Sequence, residues 1–181
     1  MNDSERIHRQ DFLHLLMAIR SKKENRNETE YCIRRVIRDE EQDLAILERE
    51  VANIKGTWRI YHTVNARDPQ MALKTTLAHL ILHPEDASRV DSIWKTQLMK
   101  PTCKAERKYL IDIDTNEQFR YENTKKLLND ANVQILHEIK TPNGWHIITE
   151  KFDTRLIHDL KDIELHRDRY YYIKSVKGKD D

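Results

Sequence analysis

The chain has 181 residues, of which 38 % are hydrophobic and 35 % are charged, and its formal net charge is +1. This composition predicts one well-buried core, because disordered chains are poorer in apolar residues and carry a larger net charge. The near-neutral balance argues against a protein held on nucleic acid by its overall charge alone. A nucleic-acid partner would therefore need a local basic patch.

The cysteine count and the apolar runs restrict the class of protein further. Cys32 and Cys103 are far apart and form no CxxC pair, so neither a disulfide framework nor a cysteine-rich zinc site is indicated. No apolar run reaches the roughly 18 residues that cross a bilayer, and the N-terminal letters lack the apolar core of a signal peptide. We therefore expect a cytoplasmic protein with no membrane partner.

Hydrophobic periodicity predicts helices and strands in both halves of the chain. In the first half, the predicted elements are a helix over 9–19, a strand over 31–38, a helix over 39–55, a strand over 57–66, and helices over 70–82 and 84–99. In the second half, they are a strand over 107–115, a helix over 116–131, strands over 132–140 and 145–152, a short helix over 154–162, and a strand over 169–176.

This order predicts an α+β fold with a mixed sheet, in a single domain over 1–181. The second half, about 101–181, follows a β-α-β-β-α-β pattern, so we expect an RRM-like unit packed with helices. The first half, about 1–100, is expected to form an α/β lobe.

Two aspartates interrupt the apolar letters of the strand that contains "LIDID". Asp112 and Asp114 are two residues apart, so they project from one face with Leu110, while Ile111 and Ile113 occupy the other. Two carboxylates about 5 Å apart repel by roughly 3 kcal/mol at an effective dielectric near 20. Solvent, protonation of one acid or a bound divalent cation would offset this repulsion. Two solvated acids at an outer strand face remain the simpler interpretation of the pair alone.

The letters "TPNGWH" predict a tight hairpin between the two strands that follow. Pro142 and Asn143 suit its turn, and we expect Gly144 to adopt a positive φ there. His146 then follows a glycine turn, where an imidazole and nearby N–H groups suit a phosphate. A structural or surface role for this histidine is the alternative.

Together, these two stretches resemble the archaeo-eukaryotic primase superfamily, the fold of primase-polymerases. In that family, a strand with an hDhD motif, where h is hydrophobic, is followed after a helix and a strand by S/TxxGxH, and later by a hydrophobic residue with an aspartate. Here "LIDID" matches the first motif and "TPNGWH" the second, and the resemblance covers about 108–174.

The resemblance implies roles for particular residues. Asp112 and Asp114 would bind catalytic Mg²⁺ or Mn²⁺, and Thr141 and His146 would grip the triphosphate of an incoming nucleotide. The third metal-binding acid is expected at Asp168, with Asp162 as a rival.

Further candidates for phosphate contact lie near the end of the strand in the first half. Arg59, Asn65 and Arg67 are placed there, and guanidinium groups suit phosphate, although ordinary polarity at a strand exit explains them as well. A local basic excess is formed by Lys104, Arg107 and Lys108, and later by Arg167, Arg169, Lys174 and Lys177. Three tyrosines over 170–172 accompany them, and we expect these to fill the core rather than stack on bases.

The function that the sequence predicts is a metal-dependent nucleotidyltransferase of primase-polymerase type. Its expected partners are a nucleoside triphosphate, a nucleic-acid primer and template, and replication or helicase proteins. A non-catalytic nucleic-acid or protein-binding module on the same fold is one alternative. A metal-dependent nuclease or phosphoesterase that uses the same acids is another.

Overall fold

The structure is a computed structural model that describes residues 12–22, 24–25, 28–158 and 160–179. In this part of the chain there are eight strands and four α-helices. The strands are β1 (Leu15–Arg20), β2 (Tyr31–Val36), β3 (Thr57–Thr63), β4 (Tyr109–Ile113), β5 (Ile135–Lys140), β6 (Trp145–Thr149), β7 (Ile163–His166) and β8 (Tyr170–Lys177). The helices are α1 (Glu40–Ala52), α2 (Pro69–Leu82), α3 (Val90–Leu98) and α4 (Gln118–Asp130).

The strands form two separate four-stranded sheets, and every pairing is antiparallel. The first sheet has the order β2-β1-β3-β8, and the second has the order β5-β6-β4-β7. The fold is therefore α+β, as predicted, but with two antiparallel sheets rather than one mixed sheet.

Apolar residues on the strands bury each sheet against a different helix. In the first sheet, Trp58 and Ile60 pack with Leu47 and Val51 of α1. In the second sheet, the apolar face packs against α4 through Leu128. A smaller cluster joins the sheets, because Val64 and Tyr171 from the first pack with Leu110 and Ile148 from the second.

Helix starts follow from local capping chemistry. The Asp39 side chain accepts from the Gln42 N–H at the start of α1, and Asp68 does the same for two N–H groups of α2, which begins with a proline. These contacts satisfy N–H groups that have no partner within the helix. None of the helices in the described residues is long and apolar enough to traverse a bilayer.

The prediction of a helix over 9–19 is wrong from Leu15 onward, where the chain forms β1, and residues 9–11 lie outside the described residues. This strand is central in its sheet and is buried on both faces: Leu16 and Ala18 pack against α1, and Leu15 packs near α2 and α3. A strand buried on both faces reads as a continuous apolar run, so its spacing also fits a helix.

Three further predictions need correction. The helix predicted over 84–99 opens with a 3₁₀ segment, Pro84–Arg89, before α3. The short helix predicted over 154–162 is one 3₁₀ turn, Thr154–Leu156. The last predicted strand, β8, pairs with β3 in the first sheet, while the unpredicted β7 completes the second. The chain thus returns to its first sheet at the end and ties the two sheets together.

Candidate active site

A row of polar side chains crosses the middle of the second sheet. In β4, Asp112 lies directly opposite His146 of β6 on one side and Glu164 of β7 on the other. Residues that face each other across antiparallel strands project from the same side of the sheet. Asp112, His146 and Glu164 are therefore neighbours on the face that is turned away from α4.

The two faces of β4 differ as the sequence predicts. Ile111 and Ile113 are fully buried in the core with Leu128, whereas Leu110 packs in the small cluster between the sheets. Asp112 follows Leu110 on the same face and is half-buried, and Asp114 lies just beyond the strand and is exposed. The acid pair thus lies where an apolar contact between two sheets opens to solvent.

The hairpin after β5 is held tightly against the end of β4. A Cβ atom on Gly144 would lie 1.7 Å from the Ile113 carbonyl oxygen, so only glycine fits there. The Thr141 N–H donates to the Gly144 carbonyl across the turn at 3.0 Å. Gly144 does not have the positive φ that we expected from the turn sequence, because the positive-φ glycine among the described residues is Gly56. The close approach of the turn to the Ile113 carbonyl, and not a positive φ, explains why glycine occupies position 144.

His146 contacts both sheets. Its Nδ1 atom accepts a hydrogen bond of 3.0 Å from the backbone N–H of Tyr172 in β8, and its Nε2 atom lies 3.4 Å from Asp112 Oδ1. A backbone N–H can only donate, so Nδ1 carries no proton and the ring proton is on Nε2, facing the carboxylate.

A cleft of about 190 Å³ lies beside these residues. It brings together five of the predicted site residues: Arg59, Asp112, Asp114, Thr141 and His146. Side chains from both sheets and from the hairpin therefore meet at one concave surface.

Two carboxylates, those of Asp112 and Asp114, lie in the cleft. Partial desolvation, followed by the negative charges of Asp112 and Glu164, raises the pKa of Asp114. These carboxylates repel one another, since a raised pKa means that the charged form is disfavoured. A positive charge bound beside the acid pair would therefore reduce the repulsion between the carboxylates.

Two arginines face the acids from the first sheet and the loop before β8. Arg59 in β3 pairs with Glu24, and Arg169 lies 2.7 Å from His166 Nε2, next to Glu164. The sequence marks Arg169 only as part of a basic excess, yet it lines the cleft. Cationic groups at this rim suit an anionic ligand such as a phosphate.

Asn65, Arg67 and Asp168 lie elsewhere, which corrects their expected roles. The fully buried Asn65 side chain exchanges hydrogen bonds with the backbone N–H and C=O of Lys108 at 2.8 and 3.1 Å. Arg67 is 1 % exposed and donates two hydrogen bonds to Asp168, at 2.9 and 2.8 Å. These three side chains hold the start of β4 and the loop before β8 to the first sheet, and none of them lines the cleft.

Asp162, the rival third acid, also has a structural explanation. It has a φ of 63°, and its carbonyl oxygen accepts from the Asp114 N–H at 3.0 Å. An aspartate tolerates this left-handed conformation better than most residues. Glu164, which sequence reasoning missed, is the acid that shares the sheet face with Asp112. The alternation of Ile163, Glu164 and Leu165 is its only sequence signal, and it is too short to predict a strand by itself.

The three consecutive tyrosines divide between core and cleft. Tyr171 packs in the cluster between the sheets and stacks on His62, at a ring-centroid distance of 5.0 Å. Tyr170 and Tyr172 instead line the cleft with Tyr61, whose ring lies 5.0 and 6.1 Å from theirs. The expected core role therefore holds for Tyr171 alone.

The acids by themselves do not form a complete metal cage. Among the described residues, there is no group of three or more His, Cys, Asp or Glu side chains arranged to hold a metal ion. The carboxylate oxygens of Asp112 and Asp114 nevertheless match the preference of Mg²⁺ and Mn²⁺, which complete their shells with waters and substrate phosphates. The donor set fits an ion that is shared with a ligand.

Comparisons with protein-family models, with curated proteins and with solved structures found no match to this chain. The function must therefore be argued from the fold and the cleft.

Proposed function

We propose that the protein is a metal-dependent nucleotidyltransferase of primase-polymerase type, which adds nucleotides from nucleoside triphosphates to a nucleic-acid strand. The observation that carries this proposal is the meeting of the Asp112–Asp114 pair with Thr141 and His146 in one cleft. The two motifs lie far apart in sequence, and each alone has an ordinary structural explanation. The pairing of β4 with β6 brings the two motifs together, and the cationic side chains beside them make the resulting cleft suitable for an anionic ligand.

The topology of the second sheet supports the same proposal. Its chain order is β4, α4, β5, β6, a 3₁₀ turn and β7, and its spatial order is β5-β6-β4-β7. We interpret this order as an RRM-like unit in which the second helix is reduced to a single turn. Asp112 then lies in the first strand of the unit and Asp114 directly follows it, close to the position that the resemblance to primase-polymerases implies.

Asp112 and Asp114 would hold a divalent cation that the ligand helps to coordinate, and Glu164, rather than Asp168, would add a nearby negative charge without completing a three-acid site among the described residues. When bound, Mg²⁺ or Mn²⁺ would offset the charge of the triphosphate and favour attack at its α-phosphate by the hydroxyl of a primer, which loses its proton as the bond to the β,γ-phosphates breaks and pyrophosphate leaves. Glu164 lies directly opposite Asp112, whereas the carboxylate of Asp168 is already neutralised by Arg67.

The remaining cleft residues would bind the nucleotide. Arg59, Arg169 and the hairpin at Thr141 would contact phosphate oxygens, since guanidinium and N–H groups are suitable donors. The volume of about 190 Å³ lies below the roughly 300–1,000 Å³ of typical ligand pockets. The phosphates would therefore enter the cleft, while the base lies at its rim against Tyr61 or Tyr172.

The proposal implies further partners. A primer and template strand would be the second substrate, and the activity would serve alongside replication or helicase proteins in the cytoplasm.

The test is incorporation of a labelled nucleotide into a primed oligonucleotide with Mn²⁺ or Mg²⁺. Asp112→Asn and Asp114→Asn should each abolish incorporation, since each removes a cation-binding charge without removing volume. Asp130→Asn, which changes an exposed acid at the end of α4, is the matched control and should retain full incorporation. Incorporation at the wild-type level by all three variants would refute the proposal.

A second candidate function rests on the absence of a complete metal cage among the described residues. A non-catalytic module on the same fold would bind nucleotide or nucleic acid without needing a cation. Binding that is unchanged by EDTA, together with no incorporation, would favour this module. Shortening of the oligonucleotide would instead favour a nuclease that uses the same acids.

A further inference from the structure

His146 occupies a position that joins the two halves of the cleft. It belongs to β6 in the second sheet, is only 7 % exposed, and accepts its hydrogen bond from a residue of the first sheet. The donor, Tyr172, lies in β8, which is an edge strand of that sheet. An edge strand has backbone N–H groups without a strand partner, and a buried N–H needs an acceptor. The imidazole supplies that acceptor.

The other side of the same ring faces the acid pair. The backbone donor fixes the proton on Nε2, which lies 3.4 Å from Asp112 Oδ1. This distance indicates a polar contact rather than a short hydrogen bond. The ring cannot rotate to another partner without leaving the Tyr172 N–H unsatisfied, so its Nε2–H is held towards Asp112.

The position of Tyr172 connects this contact to the opposite wall of the cleft. Tyr172 pairs with Tyr61 of β3 where the register between β3 and β8 shifts, and both side chains line the cleft. A displacement of β8 would therefore move one wall of the cleft and the histidine anchor together.

We propose that His146 is a positioning residue, which fixes the Asp112 carboxylate relative to β8 and so sets the distance between the acids and the wall formed by the first sheet. This inference rests on the proposed cation-binding role of Asp112. It gives His146 a role through Asp112 that differs from direct contact with a triphosphate. Groups that orient a metal-binding carboxylate in this way affect metal affinity by about 10–100-fold.

The two amide replacements of histidine separate its two contacts. In His146→Asn, the side-chain oxygen takes the place of Nδ1 and still accepts from Tyr172, but no donor reaches Asp112. In His146→Gln, the amide nitrogen takes the place of Nε2 and still donates towards Asp112, but the acceptor for Tyr172 is lost. His137→Asn, at an exposed position of β5, is the matched control.

The experiment combines amide hydrogen exchange of the ¹⁵N-labelled full chain with calorimetric titration of Mn²⁺ alone. His146→Asn should keep the protection of the Tyr172 amide and weaken Mn²⁺ binding by about 10–100-fold. His146→Gln should exchange the Tyr172 amide at least tenfold faster than the wild type. The control should change neither quantity. Unchanged Mn²⁺ affinity in His146→Asn, or unchanged Tyr172 protection in His146→Gln, would overturn the inference.

A readout without metal separates this inference from the proposed function. The imidazole ¹⁵N shifts of the wild type should show the proton of His146 on Nε2, and Asp112→Asn should shift that resonance. A proton on Nδ1, or no response to Asp112→Asn, would overturn the inference even if Mn²⁺ binds. A wild type that binds no Mn²⁺, either alone or together with a nucleoside triphosphate, would instead overturn the proposed cation site, and with it the role of His146 in cation binding.

Discussion

Charged side chains meet at two places between the sheets, as a pair of opposite charges at one and as a pair of like charges at the other. At the joint behind the cleft, Arg67 and Asp168 form a pair of opposite charges with two hydrogen bonds, and Arg67 is almost fully buried. At the cleft, Asp112 and Asp114 have the same charge, and the pKa of Asp114 is raised. At the joint each charge faces its opposite, although Arg67 Nε has no hydrogen-bond partner among the described residues, whereas two like charges meet at the cleft. We therefore expect the first pair to stabilise the fold, whereas the second pair is the cation site that we propose.

The largest effect on stability should come from breaking the joint. Arg67→Ala removes one partner of a buried pair and leaves the Asp168 carboxylate without its cation, which should lower the free energy of unfolding by about 3–5 kcal/mol. Urea denaturation followed by circular dichroism measures this change.

The matched control is a solvent-exposed ion pair. Arg155→Ala breaks the contact of Arg155 with Asp153, where the arginine side chain is 88 % exposed, and should leave the urea midpoint unchanged. Equal changes in the urea midpoint would mean that the Arg67–Asp168 pair stabilises the protein no more than an exposed ion pair does.

The hairpin that carries the second motif offers the next largest effect. Gly144→Ala places a methyl group against the Ile113 carbonyl, so the turn must move away from β4, at a cost of roughly 1–3 kcal/mol. Because Thr141 and His146 flank the turn, nucleotide binding should weaken as well. Denaturation and nucleotide titration of this variant test both effects; wild-type stability would show that the hairpin is not pressed against β4.

An intermediate, pH-dependent effect should come from two histidines behind the cleft. Burial lowers the pKa of His14 and of His62 below the ordinary value of 6.5, and hydrogen bonds to Thr63 only partly oppose this. The nearby charges include Glu106 for His14 and Glu40 for His62. The unfolded chain binds these protons first, so this stability is present above pH 6.5 and is lost as the pH falls towards the lowered values.

Urea midpoints at pH 7.5, 6.5 and 5.5 should therefore decrease in that order. His62→Gln should flatten the profile, because it removes one of the buried groups with a lowered pKa that must take up a proton. A wild-type midpoint that rises between pH 7.5 and 5.5 would contradict the assignment.

The smallest effect should come from the acid pair itself, and its sign is opposite to that at the joint. Asp114→Asn removes repulsion with Asp112 and Glu164, so it should raise the free energy of unfolding at neutral pH by about 0.5 kcal/mol or less, because exposed charges are screened by water and salt. The same variant should lose incorporation of nucleotide. Destabilisation of the protein by this change would mean that Asp114 has a structural role.

The part of the site that could be predicted from sequence depends on local rules. The alternation of strand side chains places Asp112 and Asp114 on one face, and the turn residues place a hairpin before His146, because both rules act over a few residues. The α+β class and most elements in the second half follow from periodicity in the same way.

The rest depends on contacts between distant parts of the chain. Arg67 and Asp168 are 101 residues apart, so nothing near either residue indicates that they pair. The strand β1 resembles a helix in sequence because its burial on both faces is decided by α1 on one side and by α2 and α3 on the other. Glu164 was missed because β7 has four residues, too few for a periodic signal.

The central claim is that Asp112 and Asp114 hold a divalent cation against the phosphates of a nucleotide. The most direct measurement is the anomalous diffraction of crystals soaked with Mn²⁺ and a nucleoside triphosphate. We predict a manganese peak between the two carboxylates, with triphosphate density reaching towards Arg59 and the hairpin at Thr141. A triphosphate bound in the cleft without manganese at these acids, or manganese and triphosphate bound at another surface, would contradict the claim.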